Sequence, residues 1–150
     1  MKRQNPYRLL ALLLALCLAV ITYGQTGLER LAVHDVFSGR LADTRILSET
    51  HVVGDELAKY HLSVFHSVQC STSAKGFARA ERLLTQDEQK ATEKEVQRTN
   101  RRTRFALFRY AQKDGTNHYI IYQRRSQTDF VCVYLEGTAS IEQLKKTFNK

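Results

Sequence analysis

Three strand-length apolar runs near the C-terminus constrain the fold of this chain more than any other feature. They span residues 105–110, 118–123 and 130–135 and are rich in aromatic and β-branched side chains, which favour strands. Asp114-Gly115 lies in the first connection and is a strong hairpin signal. Because the connections are short and the strands are consecutive, the pattern predicts an antiparallel meander.

The preceding residues predict two further strands and a short N-terminal helix. Residues 27–37 have partly helical apolar spacing, and Gly39 is typical of a helix stop. Residues 44–53 end at a Gly-Asp turn signal and predict a strand. Residues 57–71 are compatible with a helix or a strand. Their Val-rich alternation favours a strand from about His61.

Two longer helical patterns frame the meander. Apolar residues recur at helical spacing over residues 74–84, and Thr85 with Glu88 matches a capping box that predicts a further, solvated helix over 86–99. Ser140 and Gln143 show the same capping-box spacing at the start of a closing helix. Its apolar side chains are expected on one face, docked on the sheet.

The predicted order is α-β-β-α-β-β-β-α, an α+β domain with an antiparallel sheet of about five strands and helices packed on it. Tyr119 and Ile121 face one side of their strand while Ile120 and Tyr122 face the other. A sheet with one wet face would alternate apolar and polar side chains. The second face is therefore expected to be covered by another helix, a dimer mate or a ligand, the alternative being an exposed aromatic face.

The N-terminus has the layout of a secretory signal peptide. Lys2, Arg3 and Arg8 precede an uncharged apolar run over residues 9–21, and Thr22-Tyr23-Gly24 supplies a small residue ahead of Gln25. The run is shorter than the roughly 20 residues that span a bilayer. We expect cleavage near Gly24, a single mature domain over residues 25–150, and residence in the periplasm or cell envelope. An uncleaved anchor and a lipoprotein built on Cys17 are the alternatives; Leu16 before Cys17 does not suit a lipobox.

Net charge limits the classes of partner, and cysteine content limits the disulfides that can form. The chain has 23 Lys and Arg against 15 Asp and Glu, and three of the basic residues lie in the leader, so the mature net charge falls from +8 to +5. This excess is too small to argue for nucleic-acid binding. In an oxidising compartment Cys70 and Cys132 are a candidate disulfide, with two separate buried thiols as the alternative.

The arginines form the pattern that most directly predicts a cluster in space. Arg101, Arg102 and Arg104 precede or begin the first meander strand, while Arg124 and Arg125 lie in the turn between the second and third strands. In a meander these two positions share one end of the sheet. The five arginines are therefore expected to form an anion-binding cluster for phosphate, sulfate or carboxylate. The alternative is a set of ordinary solubilising arginines.

Catalytic and metal motifs are not found in the sequence. The five histidines lack the i, i+4 spacing of a helical metal site, and no Cys-x-x-Cys or phosphate loop occurs, so no metal or cofactor is expected. The enzymatic alternative is a small Cys/His-dependent enzyme centred on Cys70. The favoured function is a non-catalytic binding module. Its ligand would be a protein or a second copy at the apolar sheet face, or an anionic glycan or lipid at the arginines.

A resemblance supports the exported interpretation. Residues 134–145 (Tyr-Leu-Glu-Gly-Thr-Ala-Ser-Ile-Glu-Gln-Leu-Lys), residues 60–67 (Tyr-His-Leu-Ser-Val-Phe-His-Ser) and the strand 119–122 resemble small exported Bacteroidota proteins of unknown function. In those proteins a signal peptide precedes one compact α+β domain with a Glu-Gly turn before the last helix. The resemblance implies envelope or periplasmic residence and brings no catalytic residues.

Overall fold

Antiparallel strands form one sheet in the computed structural model, which describes residues 27–148. The six strands of this described part are β1 (Thr44–Val53), β2 (Leu62–Thr72), β3 (Glu93–Thr99), β4 (Arg102–Ala111), β5 (Asn117–Arg124) and β6 (Asp129–Gly137). They lie in the order β1-β2-β6-β5-β4-β3, so β1 and β3 are the edges. The α+β class is confirmed, with six strands where about five were predicted.

Helices and short 3-10 turns cover the sheet. Within residues 27–148 the α-helices are α1 (His34–Phe37), α2 (Ala74–Lys90) and α3 (Ile141–Phe148), and the 3-10 helices are Leu28–Arg30 and Asp55–Tyr60. None of the helices in this range is long and apolar enough to cross a membrane. The predicted leader over residues 1–24 and the lipidation alternative at Cys17 lie outside the described residues.

The meander is confirmed as β4, β5 and β6. These strands pair in sequence, with Phe108 opposite Ile120 and Ile121 opposite Val133. Gly115 in the first connection has φ +84°, a left-handed conformation that glycine adopts without strain. The sheet is completed where β2 pairs with β6, so chain segments far apart in sequence meet at its centre.

The segment after α2 corrects the sequence analysis, because residues 93–99 form a strand and the predicted helix over 86–99 ends at Lys90. The capping box is not formed. The Thr85 hydroxyl instead donates to the Glu81 carbonyl at 2.9 Å, a bond typical of a mid-helix threonine. Thr85 therefore continues α2, and the predicted restart of a helix at this residue is wrong.

Charged side chains join α2 to β3. The Glu88 carboxylate accepts from Arg98 at 2.7 Å and from Lys94 at 3.2 Å, both of them on the strand. Of the β3 side chains, Val96 packs against the core. The strand is polar because it is a sheet edge, where charged side chains oppose pairing with other chains.

Each face of the sheet has its own apolar cluster. On one face, Phe77 and Leu84 of α2 pack over a core that includes Phe108, Tyr122 and Phe130. On the other face, Ile141 and Leu144 of α3 pack with apolar side chains of the central strands. The latter are Leu107, Tyr119, Ile121, Val133 and Leu135. The second face of the sheet was expected to be covered by a helix, a dimer mate or a ligand. It is covered by a helix, α3.

Local signals outside the meander are confirmed in part. Ser140 and Gln143 exchange two bonds, Ser140 Oγ accepting from the Gln143 N–H at 3.1 Å and Gln143 Oε1 from the Ser140 N–H at 2.8 Å. The ambiguous segment is a strand from Leu62. An irregularity between Leu62 and Val64 places Leu62 in the α3 cluster and Val64 in the α2 cluster. The predicted N-terminal helix is instead a 3-10 turn followed by α1.

The end of β6 provides a test of this packing. A Cβ added at Gly137 would overlap the His61 carbonyl oxygen and the Leu62 Cα, both of them backbone atoms that cannot rotate away. We expect Gly137→Ala to lower the free energy of unfolding by about 2 kcal/mol. Urea denaturation measures the loss. The exposed neighbour Thr138→Ala is the control, and equal stability of the two variants would contradict this packing.

Candidate anion-binding cleft

Four of the five predicted arginines surround one cleft. Arg102 and Arg104 begin β4 and Arg124 ends β5, and the pairing of Phe105 with Gln123 sets these strand ends side by side. The cleft has a volume of about 540 Å³, in the range of about 300–1,000 Å³ typical of ligand sites. Its lining residues are Thr99, Asn100, Arg102, Arg104, Arg124, Arg125, Ser126 and Gln127.

Arg124 is the most firmly held of these arginines. Its guanidinium carbon lies 3.7 Å from the centre of the Phe77 ring, a cation–π contact with α2. Its Nε donates to the Ser126 carbonyl at 3.2 Å. These two contacts fix the plane of the guanidinium group before a ligand arrives. Its terminal nitrogens donate to no other group among residues 27–148.

The cleft arginines are not neutralised by the protein. Among the described residues, no carboxylate lies within 4.0 Å of the guanidinium groups of Arg102, Arg104, Arg124 or Arg125. Nearby arginines are paired: Arg98 lies 2.7 Å from Glu88, and Arg109 lies 3.0 Å from Glu93. Positive charge is therefore concentrated at the cleft, where it favours an anionic ligand.

Arg101 is the exception to the predicted cluster. It lies beside Asn100 in the turn between β3 and β4, and both residues adopt left-handed backbone conformations, with φ +63° and +52°. Its side chain is exposed and does not line the cleft. The tight turn separates Arg101 from Arg102, a detail that strand periodicity does not reveal.

A second cleft of about 410 Å³ adjoins the first. It runs beside α2 and is lined by Ala74, Phe77, Ala78, Glu81, Arg102, Arg124 and Gln127. The Glu81 carboxylate accepts the Thr103 N–H at 2.7 Å, so this acid is held in place at the start of β4. Glu81 and Phe77 were absent from the predicted site. They lie four apart on one helix face, but the docking of that face beside the arginines depends on tertiary packing.

Cys70 and Cys132, the cysteines within residues 27–148, are free, buried thiols in this structure. Cys132 lies opposite Val68, two residues from Cys70, so the thiols are diagonal neighbours on β2 and β6. Burial, assisted by the Glu49 charge, raises the pKa of Cys70 to about 11, and burial also raises the pKa of Cys132. The disulfide between them stays a prediction, whose test is the mass of the non-reduced protein after alkylation.

The histidines do not form a nucleophile pair with Cys70. His66 is four residues from Cys70 on the same strand, about 13 Å at the usual strand rise. His66 Nε2 instead lies 2.6 Å from Glu49 Oε1, and His51 stacks on the His66 ring. A protonated, buried thiol at this distance gives the enzymatic alternative no support. Within residues 27–148, no three His, Cys, Asp or Glu side chains are grouped to hold a metal ion.

Comparison with known proteins adds one assignment. A family model described as "Family of unknown function (DUF6108)" matches residues 17–148, which is most of the chain. No curated protein and no solved structure matches this chain.

Proposed function

Since the chain belongs to the DUF6108 family, whose function is unknown, we propose a function from the arginine cleft: the protein is an exported, non-catalytic domain that binds an anionic ligand there. The observation that supports it is the grouping of four arginines without carboxylate partners around one cleft of about 540 Å³. Guanidinium groups donate in a planar fork that matches carboxylate, sulfate and phosphate oxygens.

Arg124 is proposed as the anchor of the site. Its stacking on Phe77 and its bond to Ser126 orient the guanidinium group without using its terminal nitrogens. A pre-oriented donor loses less conformational freedom on binding than a mobile one. The exposed Arg102, Arg104 and Arg125 would then close around the anion and add charge.

Export is the second part of the proposal, and it is supported by the pattern of residues 1–24. An exported domain would meet anionic glycans, lipid headgroups or free anions of the envelope. The intact mass of the protein recovered from its native host tests this part. The mass of a chain that begins at Gln25 agrees with the proposal. The mass of a chain that still includes residues 1–24 contradicts cleavage.

A protein partner at the apolar sheet face has less support. Two of the residues that suggested it, Tyr119 and Ile121, are buried in the cluster that α3 covers. That face of the central strands is therefore occupied by the chain itself.

Retention on a heparin column tests the anion-binding proposal. The test variant replaces three exposed cleft arginines by serine and keeps Arg124, whose ring contact contributes to packing; the changes are Arg102→Ser, Arg104→Ser and Arg125→Ser. We expect this variant to elute at clearly lower salt than the parent, because three charges that converge on one ligand site are lost.

A matched variant separates the cleft from net charge. It removes three exposed arginines outside the cleft, and the changes are Arg30→Ser, Arg45→Ser and Arg82→Ser. Both variants lose the same formal charge, so a general electrostatic attraction would shift both equally. Coincident elution of the two variants would overturn the proposed site.

A further inference from the structure

The two clefts form one elongated groove. They share Arg102, Arg124 and Gln127, so a ligand that leaves the arginine cleft enters the second cleft directly. The second cleft follows α2 from Ala74 to Glu81, a separation of seven positions that spans about 10 Å of helix. This length exceeds the size of a sulfate or phosphate ion, so a simple anion would fill only one part of the groove.

Positive charge decreases along this groove. The first cleft is lined by four arginines and no carboxylate, whereas the second keeps only Arg102 and Arg124 and adds the half-buried Glu81, whose carboxylate accepts the Thr103 N–H. A carboxylate at this position repels a second anionic group and accepts hydrogen bonds from hydroxyl groups. The groove therefore suits a ligand with an acidic group at one end and neutral hydroxyl groups at the other.

We propose that the groove binds an oligosaccharide with a terminal acidic sugar, whose carboxylate or sulfate lies among the arginines and whose neutral sugar lies beside Glu81. This inference rests on the proposed anion-binding function and adds the ligand class. The uncharged polar residues of the lining suit sugar hydroxyls as donors and acceptors. They are Thr99, Asn100, Ser126 and Gln127.

The lining disfavours two other sources of an anion. A nucleic acid repeats its negative charge along the chain, and Glu81 would oppose the second phosphate. A lipid headgroup brings acyl chains, yet the exposed apolar side chains of the second cleft are only Ala74 and Ala78. The large exposed apolar side chains of residues 27–148 are Leu47, Val53 and Tyr60, on β1 and the 3-10 helix that follows it. That sheet edge is remote from β4 and β5.

A glycan array tests the inference with matched sets of probes. Each set contains a neutral oligosaccharide, the same oligosaccharide capped by one sialic acid, uronic acid or sulfated sugar, and the free cap alone. For at least one cap, we expect the capped oligosaccharide to bind the full domain at least about tenfold more tightly than either part. Equal affinity for capped oligosaccharide and free cap, or no binding to any capped oligosaccharide, would overturn the inference.

Glu81→Gln identifies the end that recognises the neutral sugar. Glutamine keeps an oxygen that can accept the Thr103 N–H, so the fold should be retained and the melting temperature nearly unchanged. We expect the advantage of the capped oligosaccharide over the free cap to fall to a few-fold, with the affinity for the free cap no weaker. Glu142→Gln, an exposed substitution on α3, removes the same charge and should change neither value.

Two further results separate this inference from the proposed function. If no capped oligosaccharide of the array binds, but retention on heparin, a dense polyanion, still depends on Arg102, Arg104 and Arg125, the ligand class is wrong and the anion site stands. If heparin retention is also independent of these arginines, both fail. Binding to phosphatidylglycerol vesicles without binding to capped glycans would identify a lipid headgroup and contradict the glycan assignment.

Discussion

Asp87→Ala is expected to lower the free energy of unfolding by about 3 kcal/mol. The carboxylate of Asp87 is fully buried on α2 and accepts the backbone N–H groups of Ala32 and Val33, both at 2.8 Å. Removing the carboxylate leaves two N–H groups without acceptors at a largely buried position. Each unsatisfied N–H group costs about 1–3 kcal/mol. Because these bonds attach the N-terminal segment to α2, that segment should lose protection from hydrogen exchange first.

Two further variants are compared with Asp87→Ala for their loss of stability. Asp87→Asn keeps one oxygen acceptor but presents an amide NH₂ to the second N–H, so its loss should be smaller than that of alanine. Gln86→Ala changes an exposed neighbour on the same helix and should stay within about 0.5 kcal/mol of the parent. Guanidinium denaturation measures all three. A loss for Asp87→Ala no greater than that for Gln86→Ala would contradict the assigned role of these bonds.

A steep loss of stability above pH 9 is the second large effect expected. Burial raises the pKa of the Cys70 thiol from about 9.0 to about 11. Between these values the unfolded chain loses the proton while the folded chain keeps it. Unfolding therefore releases a proton and becomes more favourable as the pH rises. Cys70 alone should lower the free energy of unfolding by about 3 kcal/mol across this window, and below pH 9 it should have no such effect.

Other buried acids add to the alkaline loss. Burial raises the pKa of the Cys132 thiol and of the Tyr110, Tyr122 and Tyr134 hydroxyls in the folded chain. Each of these groups likewise keeps its proton when folded and releases it when unfolded. The thiol contributes from about pH 9 and the tyrosines from about pH 10, the ordinary values of their unfolded pKa.

Urea denaturation at pH 8, 9, 10 and 11 in the presence of a reductant measures this dependence. The reductant keeps both thiols free, so a disulfide cannot mask their titration. The double variant Cys70→Ala/Cys132→Ala is the control, and its stability should start to fall near pH 10 instead of near pH 9. A parent whose stability is constant from pH 8 to pH 11 would contradict the burial of these groups.

The sequence predicted the parts of the fold that depend on local patterns. The meander was evident because its strands are consecutive and joined by short turns such as Asp114-Gly115. The closing helix was evident because Ser140 and Gln143 form a local cap. Strand β3 was missed because its charges pair with Glu88, a residue on a different element. Spacing in the sequence does not distinguish such a pair from one within a helix.

The candidate site was predictable to a similar extent. Antiparallel topology brings the start of β4 beside the end of β5, and this rule was sufficient to group Arg102 and Arg104 with Arg124 and Arg125. The contribution of α2 was not predictable. Phe77 and Glu81 join the groove only because the helix packs across that end of the sheet, and its docking position depends on side-chain packing over the whole core.

Sulfate titration followed by NMR tests the central claim most directly. The Nε–H signals of arginine side chains report contact at each guanidinium group, and sodium chloride of equal ionic strength controls for general screening. We expect saturable shifts at Arg102, Arg104, Arg124 and Arg125, with much smaller shifts at the exposed arginines outside the cleft. Shifts of equal size at Arg30, Arg45 and Arg82, or no saturation at the cleft arginines, would contradict an anion-binding site in this cleft.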